Sequence, residues 1–336
     1  MDEGAVEIRF NGVRYGFWQK ADVRESVDDL CATVQLSVTL PGHGDSLGID
    51  ANTVIEVLIA GELVATTRLD SFSRRVGAQS HDLSLTGRSL GRELVDSQYS
   101  RTLSGLKLEE IARRLCDDFA VPLEVAAPTA LVPDFSMQCE SPANALINAA
   151  RTANLFFYPT PDGGLKLAEP DAATPVATLI YGEHLLDYEV TDEYRLRFSE
   201  YCVKGYDYEG NSSHAGKAKD DGITFYRPMQ MVADKHGKGR GGCARRTELE
   251  RNRRLARAHR LELPLQGWRY QAAGDGGEVA DWRVWAVNTQ VRVVIPPEGI
   301  DDVFLIGDRS FRLDDRGGHV TRLTLMRRAA YAGGEK

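Results

Sequence analysis

The sequence contains only five cysteines in 336 residues, and no two of them form a C-x-x-C pair. They are widely spaced and odd in number: Cys31, Cys116, Cys139, Cys202 and Cys243. This usage argues against a disulfide framework and against a cysteine-rich zinc site.

Long apolar runs and an excess of positive charge are also missing. No stretch approaches the ~18 apolar residues of a membrane-spanning helix. Residues 1–10 are acidic where a secretory signal would be basic and then apolar. We therefore expect folding in the cytoplasm and no stable membrane insertion. The formal net charge of -8 makes non-specific binding to a nucleic-acid backbone unattractive.

What is present predicts a globular protein of several domains. Hydrophobic residues make up 42% and charged residues 27%, which is close to the average for soluble proteins. At roughly 150 residues per domain, the chain is long enough for two or more domains.

Alternation of apolar and polar residues predicts strands in the first hundred residues. From Ala32 to Leu40 every second residue is apolar, the period expected when one face of a sheet is buried. A hairpin is predicted around Ala60–Gly61–Glu62. We interpret residues 1–100 as an antiparallel meander, folded into a small barrel or sandwich.

Residues 101–185 predict a compact α+β domain. One helix is expected to follow Ser104 as its N-cap. A second is expected to follow Ser141, with Pro142 in its first turn.

Strand patterns return at residues 186–209 and 285–330, which we interpret as a second β-barrel. An inserted domain at 210–284 interrupts it and contains a long arginine-rich helix that ends before Pro264. The predicted fold class is therefore α+β and β-rich, with two small antiparallel β-barrels, an α+β domain and an inserted domain. No repeat of residue identities is visible between the two β segments.

The stretch LTGRSLG at residues 85–91 contains a G-x-S-x-G pattern, which in one class of hydrolases presents a nucleophilic serine. A serine hydrolase using Ser89 is therefore an alternative function. That pattern requires alternating strands and helices beneath the serine, whereas an antiparallel meander precedes it here. We favour a turn position for Ser89 and predict no catalytic residues.

No cofactor or metal site is predicted. The loop at 210–218 imitates a phosphate-binding loop, but five residues separate its glycines where four are required, and Ala218 replaces the hydroxyl residue that reaches magnesium.

The arginine-rich segment is the strongest charge feature. A nucleic-acid surface would be accompanied by aromatic stacking residues or a groove-binding motif, and neither is present. We interpret the segment as one solvated or subunit-facing helix, with Arg253, Arg257 and Arg260 as interface candidates. Its arginines are Arg245, Arg246, Arg251, Arg253, Arg254, Arg257 and Arg260.

Four stretches carry a resemblance to a known family. They are EEIARRLCDDFAVPLEV at 109–125, RFSEYCVKGYDYEG at 197–210, FYRPMQMVAD at 225–234 and ELERNRRLARAHRLELPLQGW at 248–268. In this order they resemble the Mu-type phage baseplate hub proteins over nearly the whole chain.

The resemblance implies a structural protein of the virion tail baseplate, assembled in the host cytoplasm. Such hubs are similar to the central hub of T-even phages, with two small barrels per chain in a homotrimeric ring. The pseudo-sixfold ring adapts a trimeric tail spike to the sixfold tail tube and contacts other baseplate proteins. DNA would meet the ring only by passing through its lumen.

A second alternative is the hub part of a type VI-like spike complex. Spike domains normally continue the chain in that family, so the spike would here be a separate polypeptide. In either assembly, charge reversal at Arg253 and Arg257 is expected to impair ring formation or partner docking.

Overall fold

The computed structural model describes residues 5–16, 18–39, 48–77, 81–207, 211–233, 240–272, 281–314 and 318–331. The strands are β1 (Val6–Phe10), β2 (Val13–Tyr15), β3 (Trp18–Ser26), β4 (Thr33–Thr39), β5 (Val54–Ile59), β6 (Glu62–Val76), β7 (His81–Arg88), β8 (Tyr99–Lys107), β9 (Leu123–Val125), β10 (Leu131–Glu140), β11 (Phe156–Pro159), β12 (Leu165–Ala168), β13 (Ala177–Ile180), β14 (Glu189–Asp192), β15 (Glu200–Asp207), β16 (Ser212–Lys219), β17 (Pro228–Val232), β18 (His259–Gln266), β19 (Arg269–Gln271), β20 (Trp282–Val284), β21 (Gln290–Ile295), β22 (Ile300–Asp314) and β23 (Gly318–Met326). The α-helices are α1 (Arg92–Asp96), α2 (Leu108–Asp117), α3 (Pro142–Thr152) and α4 (Arg240–Ala258), and short 3-10 helices span Tyr194–Leu196, Pro296–Glu298 and Arg328–Ala330.

The fold is β-rich, as predicted, and one 13-stranded sheet dominates it. Its main path runs β14-β18-β23-β22-β3-β4-β7-β6-β5-β1-β2, and β13 joins through β21 to β22. Among the described residues this path stays open, with β2 at one end and β14 at the other. The predicted closure into two barrels is therefore not observed.

Two halves of this sheet repeat one strand order. The first unit, defined as β1 with β3 to β7, has the order β1-β5-β6-β7-β4-β3. The second unit, defined as β13, β14, β18 and β21 to β23, has the order β13-β21-β22-β23-β18-β14. The units differ at one position, because β1 is antiparallel to β5 whereas β13 is parallel to β21.

The repeat extends to details of the longest strands. Both β6 and β22 are 15 residues long, and both pair with a shorter preceding strand in their first half. Each also has a bulge, at Asp70 in β6 and at Gly307 in β22, and pairs with the following strand on both sides of that bulge.

The two units are joined where β3 pairs antiparallel with β22. Six consecutive residues of β22, from Asp308 to Leu313, lie opposite Ser26 to Ala21 of β3. One cluster of buried apolar side chains consequently runs through both units.

A buried ion pair lies in this junction. Arg309 and Glu25 face each other across the strands, form a salt bridge, and are 4% and 6% exposed. The Arg309 guanidinium also donates to the backbone oxygen of Trp285 and lies 4.5 Å from the centre of the Phe311 ring. Burial raises the pKa of Glu25 and lowers that of Arg309, and each partner's charge opposes this effect.

The α+β segment has its own buried core, formed by α2, α3 and strands of two small sheets. Ser141 caps α3 as predicted, since its hydroxyl accepts a hydrogen bond from the Asn144 N–H at 3.3 Å. The N-cap prediction for Ser104 is wrong. Ser104 lies within β8, and α2 begins after Lys107, whose N–H donates to the Glu110 carboxylate at 2.8 Å.

The inserted segment lies between β14 and β18, the counterparts of β3 and β4. Residues 27–32 connect the strands in the first unit, whereas 193–258 connect them in the second and contain β15 to β17 and α4. Strand β15 belongs to the predicted second-barrel range but pairs only with β16 and β17. Strands β13 and β18 lie in the predicted α+β and inserted ranges but pair within the second unit.

The arginine-rich helix is shorter than predicted. It ends at Ala258, and β18 continues through Pro264, which lies opposite Arg322 of β23. The pairing of β14 with β18 ends at Glu262. At Pro264, therefore, β18 is an edge strand, a position where proline is tolerated.

The junction pair leads to a stability prediction. Removing one partner, as Glu25→Gln or Arg309→Met, leaves the other polar group buried without its counter-charge and should lower the free energy of unfolding by about 3–5 kcal/mol. The double variant Glu25→Gln/Arg309→Met should lose less than the sum of the two single losses. Urea denaturation of the four proteins measures this cycle, with the exposed Arg24→Met as control; additive losses would contradict it.

Candidate assembly interface

Ser89 is a structural residue at the end of β7. Its side chain is fully buried, and its hydroxyl accepts a hydrogen bond from the Ala32 N–H at 3.1 Å. The Ser89 N–H in turn donates to the Ala32 oxygen at 2.9 Å. A hydroxyl held in this way faces the backbone of its own fold and is not presented to a substrate.

The two glycines of the G-x-S-x-G pattern are explained by close packing. A Cβ atom at Gly87 would lie 2.6 Å from the Thr67 hydroxyl and 2.8 Å from the Arg68 oxygen, and one at Gly91 would collide with the Leu30 oxygen. The pattern therefore reflects close approach of the backbone where the first unit meets α1.

The interface candidates Arg253 and Arg257 contact their own chain. Arg253 donates to the Tyr331 oxygen at 3.0 Å. Arg257 donates to the Ala330 oxygen at 3.3 Å and to the Asp28 carboxylate at 2.6 Å. These bonds attach α4 to the segment after β23 and to the loop after β3. Reversing both charges would therefore detach α4 as well as perturb any partner.

Burial lowers the pKa of Arg253, one of these two anchoring arginines. Burial, together with the nearby Arg246 and Arg257, lowers the pKa of Arg253 to about 10. The group still carries its proton at neutral pH, and the carbonyl of Tyr331 accepts from it.

Arg260, the third candidate, lies on β18 and not on the helix. Its guanidinium contacts Glu193 at 3.6 Å and Glu262 at 3.7 Å. The prediction placed all seven arginines on one helix; the structure places Arg260 beyond the helix end, where the chain enters the large sheet.

The stretches RFSEY and YRPM form one clamp in the inserted segment. Ser199 and Arg227 exchange hydrogen bonds, with the Arg227 N–H donating to the Ser199 hydroxyl at 2.9 Å and the Ser199 N–H donating to the Arg227 oxygen at 3.0 Å. The Phe198 ring lies between the guanidinium groups of Arg227 and Arg254, at 5.1 and 5.2 Å. These residues fasten β15 to β17 and to α4.

A bidentate ion pair completes the clamp. Arg197 donates to both oxygens of Asp220, at 2.8 and 2.6 Å, and the Asp220 side chain is 3% exposed. The hydrogen bond from Arg197 lowers the pKa of Asp220 below its ordinary 3.8.

Beside the clamp, two aromatic side chains are exposed. Phe225 and Tyr226, directly before Arg227, are 60% and 79% exposed. Exposed aromatics of this kind are more frequent at protein interfaces than on other surfaces.

Several strand edges are open among the described residues, those of β2 and β13 included, and two of them have counterparts in the junction between the units. One belongs to β14, which pairs only with β18. The other belongs to residues 71–76, hereafter the free half of β6, which pairs only with β7. Sequence reasoning identified β6 as a strand but not this open edge, because partner order is absent from a local pattern.

A cleft of about 890 Å³ lies where the α+β segment meets the second unit. Four of its charged groups form two ion pairs, Lys166 with Glu124 at 2.6 Å and Glu25 with Arg309. Glu169, Asp171 and Arg328 also line it; Asp171 accepts the Ala173 N–H and Arg328 donates to the Pro170 oxygen, each at 3.1 Å. The four ion-paired groups offer no free acid or base to a substrate.

The described ranges contain no candidate for a metal site or for a membrane-spanning helix. No cluster of three or more histidine, cysteine or carboxylate side chains could hold a metal ion there. Within the same part of the chain, no helix combines the length and apolarity required to cross a bilayer.

Family models match the first β unit and four of the six strands of the second, β18 and β21 to β23. The model for the N-terminal domain of the Mu phage baseplate assembly protein GpP-like family matches residues 5–89. The model for the fourth domain of the Mu phage baseplate assembly protein GpP matches residues 242–333. Together the two matches cover more than half of the chain.

Known proteins resemble the whole chain. The baseplate hub protein gp44 of Escherichia phage Mu is 28% identical over 346 residues, which cover 97% of this chain and 88% of that protein. The 43 kDa tail protein of prophage MuSo2 from Shewanella oneidensis has the same fold, with a TM-score of 0.83, 21% identity and coverage of 97% and 98% of the two chains. The Escherichia coli c3393 protein, a type VI secretion component, matches with a TM-score of 0.59 and 8% identity over 98% of this chain and 79% of its own.

The position of Ser89 generates a first prediction for this region. Ser89→Ala removes the acceptor of the buried Ala32 N–H and should lower the free energy of unfolding by about 1–3 kcal/mol. Urea denaturation measures the loss, with Ser84→Ala on the exposed face of the same strand as control. Ester hydrolysis by the wild type that Ser89→Ala abolishes would overturn the structural assignment.

The Arg197–Asp220 pair generates a second prediction, on pH dependence. A carboxyl whose folded pKa is lowered contributes stability above its unfolded pKa, and this contribution is lost as the pH falls through the folded value. Asp220→Asn should therefore destabilise the protein at pH 7, by about 3–5 kcal/mol for a broken buried pair. Below about pH 4, the Asp220→Asn variant should also lose less stability than the wild type as the pH falls.

Thermal denaturation between pH 2.5 and 7 follows both effects of Asp220→Asn. The exposed neighbour Asp221→Asn is the matched control. Equal acid sensitivity of Asp220→Asn and the wild type would contradict the assigned role of the pair.

Proposed function

Because this chain belongs to the family of Mu phage baseplate hub proteins, we propose that it performs the role of a phage tail hub as a homotrimeric ring. The repeat of strand order carries this proposal. Two alike units per chain supply six alike positions in a trimer, and six positions match a sixfold tail tube.

The ring adapts one symmetry to another. Its six units face the tail tube, while features present once per chain recur three times and suit a trimeric spike. In the ring each unit closes into a small β-barrel with strands of its neighbours, which removes the open sheet edges of the isolated chain. DNA passes through the lumen without a sequence-specific contact.

Function in this proposal rests on interfaces and not on catalysis. The burial of Ser89 and the ion pairs Lys166–Glu124 and Arg309–Glu25 in the cleft support this view. The protein is a baseplate component of the virion, and we place its assembly in the host cytoplasm.

In the proposed interface Arg253 and Arg257 act indirectly, through the position of α4. Arg253 and Arg257 anchor α4, so that the outer face of the helix, with Arg245, Glu248 and Leu255 exposed, is held in a fixed place for a partner. We propose this face and the exposed Phe225 and Tyr226 as contacts with spike or neighbouring baseplate proteins.

A type VI-like spike complex is the second candidate. The likeness in fold to the type VI secretion component favours it as a related architecture. The hub role is common to both, and they differ in whether the partner on the threefold side is a phage spike or a secreted spike.

Light scattering coupled to size-exclusion chromatography tests the ring. We expect a mass near three times 37.1 kDa, falling on dilution if the interfaces are weak. The same column with a co-expressed trimeric spike protein should yield a complex of three hub chains and three spike chains. A 37.1 kDa species at every concentration, with and without spike, would contradict the proposal.

A further inference from the structure

Both strands of the junction within the chain, β3 and β22, have counterparts at open edges of the same chain. Inside the chain, β3 ends the first unit and pairs with the second half of β22 in the second unit. Strand β14 ends the second unit in the place that β3 has in the first. Its outer edge faces no strand among the described residues.

The free half of β6 is the counterpart of the part of β22 that receives β3. In both strands this part follows the bulge and pairs on one side with the next strand along the chain. Ser71 therefore corresponds to Asp308, the first paired residue after the bulge, and Val76 corresponds to Leu313.

The free half of β6 is also uncovered. Five of its six residues are exposed, and only Phe72 is half-buried. In the equivalent part of β22, Arg309 and Phe311 are 4% and 0% exposed. A strand segment that is exposed on both faces and open at one edge is a template for pairing with another chain.

We propose that β14 of one copy pairs antiparallel with the free half of β6 of a second copy, in the register that β3 adopts on β22. This inference rests on the proposed trimer and names the strands that join its copies. Each copy contributes β14 to one neighbour and β6 to the other, so the contact is head-to-tail, and a ring closes after three copies.

The register follows from the repeat. Glu189 is the counterpart of Asp22. Each is reached across two intervening strands from the first paired residue after the bulge, which is Ser71 in the first unit and Asp308 in the second. Asp22 lies opposite Arg312, so Glu189 should lie opposite the counterpart of Arg312, which is Arg75.

The charges agree with this register. Within the chain, Arg312 contacts Asp22 at 3.5 Å across the junction. The transferred register places Arg75 opposite Glu189 of the neighbouring copy and so repeats the ion pair. Both side chains are exposed, and neither makes an ion pair with a described residue of its own chain. Opposite charges directly facing each other stabilise a strand pair.

The apolar contacts agree as well. The same register places Val76 opposite Tyr188. Val76 is 62% exposed in the single chain, and Tyr188 packs edge-on against Tyr181 with ring centres 5.1 Å apart. Pairing would cover Val76 with this aromatic pair.

Charge reversal tests the ion pair. Arg75→Glu and Glu189→Arg should each raise the trimer dissociation constant about tenfold or more, because like charges face each other at every interface of the ring. The double variant should restore it. Arg113→Glu, on the exposed face of α2, is the matched control. Light scattering across a dilution series measures all five proteins.

Cysteine cross-linking tests the register. Ser73→Cys and Thr191→Cys lie opposite each other in the proposed pairing and, in a Cys139→Ser background that removes the exposed thiol, should give covalent trimers on mild oxidation. Arg74→Cys with Thr191→Cys shifts the pair by one residue to opposite faces and should give none. Non-reducing gels report the products.

The outcomes separate this inference from the proposed function. A wild-type trimer that both reversals weaken, the double variant restores and the cysteine pair locks supports the inference. A wild-type trimer that neither reversal affects and the cysteine pair does not lock overturns it and leaves the ring intact. A wild type of 37.1 kDa at every concentration, with and without the spike protein, whose cysteine variant forms no covalent oligomer overturns both.

Discussion

The antiparallel pairing of β3 with β22 is the constraint on which the rest of the molecule depends. It converts two β units into one sheet and places Glu25 beside Arg309 in a buried position. A buried ion pair contributes little net stability compared with apolar packing, but a broken one is costly. The pair therefore penalises a shift of register, since a slip of one residue would bury each charge without its partner.

Much of the local structure could be predicted from the sequence. Alternation in residues 32–40 identified β4, and Ser141 with Pro142 identified the start of α3, because these signals lie within a few residues of the element they control. The N-cap prediction for Ser104 was wrong because contacts from outside this local stretch determine where α2 begins. Strand pairing between β8 and β10 extends to Lys107, whose N–H donates to the Glu110 carboxylate. The hydroxyl that accepts a first-turn N–H, that of Glu109, comes from Thr129 and not from Ser104.

The repeat was invisible in the sequence because it is a repeat of pairing and not of residues. Arg309 in one unit corresponds to Phe72 in the other, and the two bulges fall at Gly307 and Asp70. What the units share is the length of a strand, the place of its bulge and the order of its partners, and none of these leaves a fixed residue. The contacts of the arginines on α4 were equally beyond sequence reasoning, since Asp28 lies 229 residues away from Arg257.

The junction also has a consequence for synthesis of the protein. Asp22 and its partner Ser310 are 288 residues apart, so most of the chain leaves the ribosome before the edge of β3 is covered. Until then the nascent first unit exposes the unpaired edge of β3 and the Glu25 carboxylate without Arg309, and an exposed strand edge favours aggregation. A chain truncated before β22 would keep that edge permanently. Only a chain that has been translated through β22 can therefore cover the edge of β3.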